Sequence, residues 1–424
     1  MLESVKGKMA KILFIPSAFN EIPTIAMVRA ELEPALKDSL LAISLDETLE
    51  VRLQENAFPC KRFAEYQARN ALDLLKKENP GLVLTNDWDD TTRAFVYAAA
   101  HLGIPVLQVD DGVTFAIPTK YGSVWYSPNR LTPRRILRWL KNKQRFNRWR
   151  DLVFMFRTLQ GIRGLLPALF ALGQEIDHRF PRPTIDHLRY AVAGQSAKDA
   201  YVQRGVAPDN VYVTGQPRFD ALLKREFNGE RLRTKLGIPG DKGIIVLATQ
   251  HLAGGLRTEE KLRDFVEIVV RAASQFPNHV LVVKPHPQED EEFYRRILME
   301  MGETKVVVRQ KVDIYQLLHA CDLLITGHST VALEAMLLGK PVLTINLTGK
   351  PDLMPYASSG AAIGVYQKKD LVPAMTDALF NAQARNELAR CRQAFVIEHA
   401  YKADGQASKM VAEVISRLIK EHRK

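Results

Sequence analysis

A chain of 424 residues is longer than one ordinary core serves, and 46% hydrophobic against 25% charged residues excludes a disordered or fibrous protein. The net charge of +11 favours anionic partners, whether nucleotides, acidic glycans, phospholipid surfaces or nucleic acid. Cys60, Cys321 and Cys391 are too scattered and odd in number for a disulfide framework or a zinc ribbon, and Cys321 sits in an apolar element that suits a core thiol.

No apolar stretch of signal-peptide length follows Met1, and no later run approaches the roughly 18 residues of a membrane span. The expectation is a cytoplasmic protein, at most peripheral on the inner face of the cell membrane. In chain order, residues 11–16 read as a first buried strand, and 22–37 carry helical spacing with Pro23 near the start. Strands over 82–85 and 104–109 flank a helix over 91–102 that Gly103 ends, and this alternation predicts a parallel sheet. From about 131 to 180 the pattern changes to a basic helical insert. Strands over 190–193 and 211–213 follow, then Gly215, Pro217 and a charged stretch to Asp241 mark a linker, with the domain change near residue 225.

In the second half, a strand over 244–248 precedes Leu262, Phe265, Val266, Val269, Val270 and Ala273 at helical spacing. Further strands read at 280–283, 306–308, 323–326, 342–345 and 363–365, so a doubly wound sheet is expected. The last helix, about 407–420, is expected to pack back on the first domain. The fold class is α/β, with two facing Rossmann-like domains, 1–225 and 226–424, and a central cleft.

Three strand ends carry chemistry. After the strand at 323–326, Gly327 and His328 make a turn and Ser329 and Thr330 open a helix, where free amides and two hydroxyls suit phosphate oxygens. Glu334, a turn further in, is placed to accept from ribose hydroxyls; the plain alternative is a helix cap with a solvated glutamate. Lys284-Pro285-His286-Pro287 follows another strand, and two prolines fix the backbone around an imidazole able to bond or protonate a leaving phosphate. Asp110-Asp111-Gly112 ends the strand at 104–109 and offers a general base, or simply an acidic turn.

Other segments say less. Asn86 to Asp90 resembles an acid pair for a metal, but Asp89 or Asp90 suits a helix cap, and no histidine or cysteine cluster supports a metal site. Gly254 and Gly255 could bring amides to a phosphate, yet no Gly-Lys-Ser/Thr follows. Arg134, Arg135, Arg138, Trp139, Arg145 and Arg148 belong to a basic run that reads as membrane or acceptor contact or as a solvated helical insert, with nucleic acid disfavoured for want of a recognised module.

These motifs, with residues 213–220, give a chain that resembles the GT-B superfamily of glycosyltransferases, especially its capsule, lipopolysaccharide and polyol-phosphate branches. Asp110-Asp111-Gly112, His286-Pro287 and Ser329-Thr330 look like the three motifs of bacterial sialyltransferases in their order. Related Kdo and CDP-glycerol transferases have Gln-His-Gly in place of the first motif. The resemblance implies an inverting transferase that moves a nonulosonic acid such as sialic acid from a CMP-linked donor to a glycan or lipid-linked acceptor in surface polysaccharide synthesis. It implies Asp111 as general base, Asp110 as the residue orienting its loop, and His286 assisting the leaving phosphate. Lys284, Pro287, Gly327, His328, Ser329, Thr330, Glu334, Gly254 and Gly255 would hold the donor, without a metal or a resident cofactor.

Four alternatives stand beside it. They are a CDP-glycerol or CDP-ribitol phosphotransferase, a CMP-Kdo transferase, a UDP-sugar 2-epimerase and a noncatalytic glycan- or membrane-binding scaffold. The epimerase family has His-x-Glu-Ala-Gly in the first domain, from which Asp110-Asp111-Gly112 departs.

Overall fold

The computed structural model describes residues 11–16, 22–68, 70–86, 90–110, 187–203, 205–250 and 259–422. Of these, the residues up to Ala221 and those from His399 onward form one compact unit, and residues 222–398 form the other.

The first unit is built on seven parallel strands: β1 (Ile12–Ile15), β2 (Leu40–Ser44), β3 (Cys60–Arg62), β4 (Leu82–Thr85), β5 (Val106–Val109), β6 (Leu188–Val192) and β7 (Val211–Val213). Their order is β3-β2-β1-β4-β5-β6-β7. Because side chains alternate along a strand, Ile12 and Phe14 of β1 enter one core with Ile22, Ile25 and Val28, while Leu13 and Ile15 enter the other with Phe95, Ala98 and Tyr201. An unbroken apolar run is what a strand covered by helices on both faces requires.

One reading of this half is corrected. The helix expected over 22–37 is two helices, Ile22–Glu31 and Pro34–Asp38. Pro34 lacks an amide hydrogen and holds Glu33 extended at ψ 143°, so the first helix cannot run through it. By contacts the boundary between units falls after Ala221, and the closing helix Ala407–His422 counts with the first unit.

That helix buries Val411, Val414, Ile415, Leu418 and Ile419 against β1, β4 and the helix Ile22–Glu31, about 1.5–3 kcal/mol for each large side chain. Asp220 fixes where it begins, for its two carboxylate oxygens accept from the amides of Ala407 at 3.1 Å and Ser408 at 2.7 Å. Gly215, at φ +80°, lets the chain pass with its hydrogen facing the Ala407 methyl. His399, also buried here, pairs its Nδ1 with the Ser196 hydroxyl at 2.6 Å.

The second unit has six parallel strands: β8 (Gly243–Ala248), β9 (His279–Lys284), β10 (Val307–Val308), β11 (Leu323–Thr326), β12 (Val342–Ile345) and β13 (Ile363–Val365). They run in the order β10-β9-β8-β11-β12-β13. Ile245 and Leu247 of β8 pack on Phe265, Val266 and Val269 of the helix Glu259–Ala273. Winding outward from β8 and then resuming beside it at β11 creates a switch point, where crossovers leave in opposite directions and the strand ends open. Cys321 is a core thiol, pushed up to about 12 by burial. Among the described residues no helix is long and apolar enough to cross a membrane.

Replacing Asp220 by Ala strands two buried amides and is expected to lower the unfolding free energy by about 2–3 kcal/mol in urea titration, with Asp220→Asn losing less. A change below about 0.5 kcal/mol for the Ala variant would show that the closing helix does not depend on this contact.

Candidate functional site

The second unit brings two of the sequence motifs to one sheet edge. Strand β8 lies between β9 and β11, so the residues following these three strands are neighbours: Thr249 and Gln250, then 285–290, then 327–330. This edge is the switch point, the usual ligand position in a parallel sheet.

Gln250 closes the turn after β11. Its Oε1 accepts from the His328 amide at 2.9 Å and its Nε2 donates to His328 Nδ1 at 2.8 Å. A side chain at Gly327 would overlap the Gln250 amide, so this position admits glycine alone without displacing that clasp. Burial pushes the His328 imidazole down to about 4 and keeps it neutral. His328 therefore braces the turn and brings no positive charge to a phosphate.

The helix after the turn is short, Val331–Leu337, with Thr330 at its N-cap and no side-chain capping bond from that threonine. Ser329 Oγ accepts from the Val331 amide at 3.3 Å, and its carbonyl accepts from the Tyr356 hydroxyl at 3.2 Å. Seven residues give a weak dipole, so any hold on an anion rests on local amides and hydroxyls. Glu334 is only 6% exposed, which removes the solvated-glutamate alternative. Burial, with the Glu334 charge added, drives the fully enclosed Tyr356 phenol upward.

The turn after β9 is braced from three elements. Thr249 Oγ1 and Glu289 Oε2 both accept from the His286 amide, at 3.0 and 2.9 Å, and Thr249 Oγ1 donates to the same glutamate oxygen. Tyr294 hydroxyl donates to that oxygen at 2.7 Å. Gln310 Nε2 donates to the carbonyls of His286 at 3.2 Å and Pro287 at 3.3 Å, and also to that of Glu289. His286 Nδ1 accepts from the Gln288 amide at 3.2 Å, so the neutral ring carries its hydrogen on Nε2 as a donor. Lys284 is 9% exposed and donates to the Pro285 carbonyl at 2.9 Å, and burial lowers its pKa. The sequence reading had it face the donor; the structure turns it under the loop.

In the first unit, Asp110 follows β5 and is buried. Its Oδ1 accepts from Tyr201 hydroxyl at 3.0 Å and Gln108 Nε2 at 3.1 Å, and its carbonyl accepts from Gln216 Nε2 at 2.7 Å. Asn86 Nδ2 donates to the preceding carbonyl, Val109, at 3.2 Å. Asp110 thus anchors the strand end. Asp111, Gly112, Gly254, Gly255 and the basic run with Arg134, Arg135, Arg138, Trp139, Arg145 and Arg148 lie outside the described residues. Among the described residues no three His, Cys, Asp or Glu side chains gather as a metal site.

The sequence reading missed Thr249, Gln250, Glu289, Tyr294 and Gln310. The one signal was position: Thr249 and Gln250 are polar residues directly after a buried strand.

The profile of the UDP-N-acetylglucosamine 2-epimerase family matches residues 182–416, which include the whole second unit. No curated protein is similar enough in sequence to match. Among solved structures, a Listeria monocytogenes protein assigned as a UDP-N-acetylglucosamine 2-epimerase aligns with TM-score 0.62 at 17% identity, covering 98% of each chain. The Neisseria meningitidis UDP-GlcNAc 2-epimerase bound to UDP-GlcNAc aligns at 0.60 and 15%, over 96% of this chain and all of that one. The wall teichoic acid polymerase TagF, soaked with CDPG, aligns at 0.56 and 14%, over 98% of this chain and 90% of that one. At such identities the likeness is one of fold, the two-domain GT-B architecture.

The His328 imidazole gives a pH test. Its folded pKa, about 4, lies below the unfolded value near 6.5, so its contribution to stability is full above about 6.5 and is lost as pH falls toward 4. His328→Asn is expected to flatten this part of the acid limb in thermal unfolding curves. His399, pushed by burial to about 4 as well, leaves a residual slope in that variant. An unchanged profile would mean that position 328 titrates normally.

Proposed function

The chain belongs to the UDP-N-acetylglucosamine 2-epimerase family, and on that premise we propose that it acts on a UDP-activated amino sugar whose diphosphate is held by the second unit. The observation that carries the reading is the family match across the whole of that unit, with the turns at 285–290 and 327–330 side by side at its switch point. Transfer of a nonulosonic acid from a CMP donor, the expectation from the three short motifs, finds no support in the comparisons. The family is one of UDP-sugar enzymes, and the Neisseria relative is bound to UDP-GlcNAc.

The proposed chemistry follows from the sugar. A proton on carbon 2 becomes removable as the anomeric carbon releases its nucleotide, and epimerisation is completed when a proton returns to the opposite face of carbon 2 and the nucleotide re-adds at carbon 1; inversion at carbon 2 and transfer from carbon 1 thus share a first demand. Both must stabilise a departing diphosphate. On this reading the Ser329 and Thr330 hydroxyls and nearby amides bond phosphate oxygens, His286 donates through Nε2, and Glu334 accepts from the nucleoside. Gly327 leaves room for the Gln250 amide that holds this turn.

A second reading is favoured by one observation. Asp110-Asp111-Gly112 stands where the family has His-x-Glu-Ala-Gly, and TagF, a polymerase, shares the fold. Transfer from the same phosphate site to a glycan or lipid-linked acceptor is therefore the alternative to epimerisation.

Calorimetry with UDP, CDP, CMP and GDP is expected to rank UDP first, and Thr330→Val to weaken UDP by about 5–10-fold while leaving uridine unchanged. NMR of UDP-GlcNAc incubated with the protein is expected to show the carbon-2 epimer. Free UDP appearing only when an acceptor is supplied would favour transfer, and preference for CMP would overturn the UDP assignment.

A further inference from the structure

We propose that Lys284 is the internal counter-charge of Glu289, a positioning residue for the His286 turn and not a ligand of the nucleotide phosphates. The role in positioning rests on the phosphate site proposed above; the pairing of the two charges does not.

The argument starts from Glu289. Its Oε2 accepts from Thr249 hydroxyl, His286 amide and Tyr294 hydroxyl, three donors from three elements. Its Oε1 is buried and has no hydrogen-bond partner. An ionised carboxylate with one oxygen so enclosed needs a positive charge close by, because water cannot screen it. Arg295 of the neighbouring helix is engaged elsewhere, with Glu291 and Glu292.

Lys284 meets the need. Its ammonium is buried under the turn on the Pro285 carbonyl, and among the charges acting on it Glu289 is the largest, opposing the effect of burial. Reaching a phosphate would require the ammonium to leave that carbonyl and withdraw compensation from the carboxylate. The two charges sit at opposite ends of the turn, at 284 and 289, with His286 between them. Thr249, Tyr294 and Gln310 tie the same turn to β8, to the helix Glu291–Glu300 and to the end of β10. The backbone that carries the imidazole is thus held by these hydrogen bonds, with the two opposite charges at the ends of its turn.

The test is a double-mutant cycle on the full chain. Removing one member of a buried pair leaves an uncompensated charge, whereas removing both does not. Lys284→Met is expected to lower the melting temperature by about 5 °C or more, and adding Glu289→Gln to recover at least about half of that loss. Should Lys284→Met fail to fold, folding of the double variant is the expected result and failure of both overturns the pairing. Melting losses that simply add also overturn it.

Two further readouts separate positioning from mere stability. The affinity ratio of UDP to uridine is expected to stay within about 2-fold in the double variant, whereas a phosphate ligand would lose about 10-fold or more for UDP alone. The ring nitrogen resonances of His286, assigned with His286→Asn, are expected to move in Glu289→Gln; unmoved resonances would leave Glu289 without a hold on the ring and overturn its positioning role. If the wild type binds neither uridine nor UDP, the proposed function falls while the melting cycle still decides the pairing.

Discussion

The switch-point edge of the second unit depends on how two consecutive residues after β8, Thr249 and Gln250, distribute their hydrogen bonds. A parallel strand flanked on both sides ends with its polar groups buried, and every amide and carbonyl there has to find a partner. Thr249 turns to the β9 side, taking the His286 amide and giving its hydroxyl hydrogen to Glu289. Gln250 turns to the β11 side and takes both hydrogen-bonding groups of His328 that face it. Side chains on successive residues of an extended chain point in opposite directions, so one dipeptide serves two loops at once. Both motif turns are thereby tied to the end of the central strand.

This coupling explains which residues in the motifs are available for chemistry. In Lys284 to Pro287, the lysine, the carbonyls of His286 and Pro287 and the histidine amide are all engaged in holding the loop. In Gly327 to Thr330, the histidine is neutral and clasped, and the serine carbonyl is held by Tyr356. Only hydroxyls and amides remain there. Neutral donors of this kind act on an anion by directed hydrogen bonds more than by charge, and such bonds keep their value at moderate salt where exposed charge pairs do not.

The sequence made the second unit legible because each of β8, β9, β11 and β12 is a short apolar run closed by polar or turn-forming residues, and the helix Glu259–Ala273 repeats its apolar positions every three or four residues. It said less about the first unit. β3 is Cys60-Lys61-Arg62 at the sheet edge, largely exposed, and no burial pattern marks it as a strand. β2, buried on both faces, lies between two short helices and cannot be told from a helix by periodicity alone. The bracing of the site was invisible for a different reason. Gln250 and His328 are 78 residues apart, Thr249 and Glu289 are 40 apart, and nothing local in the chain announces either pair. Lys284 misled because a lysine beside a His-Pro turn looks like a phosphate ligand until burial shows where its ammonium goes.

The same distinction between a residue's type and its engagement bears on the triplet at 110–112. A paired acid invites a catalytic role for both members, but Asp110 spends its carboxylate on Tyr201 and Gln108 and its carbonyl on Gln216, while Asn86 holds the carbonyl before it. These four contacts come from β5 itself, from the segments just after β4 and β7, and from the helix Gln195–Gln203, so the end of β5 is fixed from several directions. Acid–base work needs a group whose proton can be exchanged with substrate, and a buried carboxylate oxygen that already accepts two hydrogen bonds inside the fold is poorly placed for it. The first acid of the triplet therefore serves to hold the end of β5.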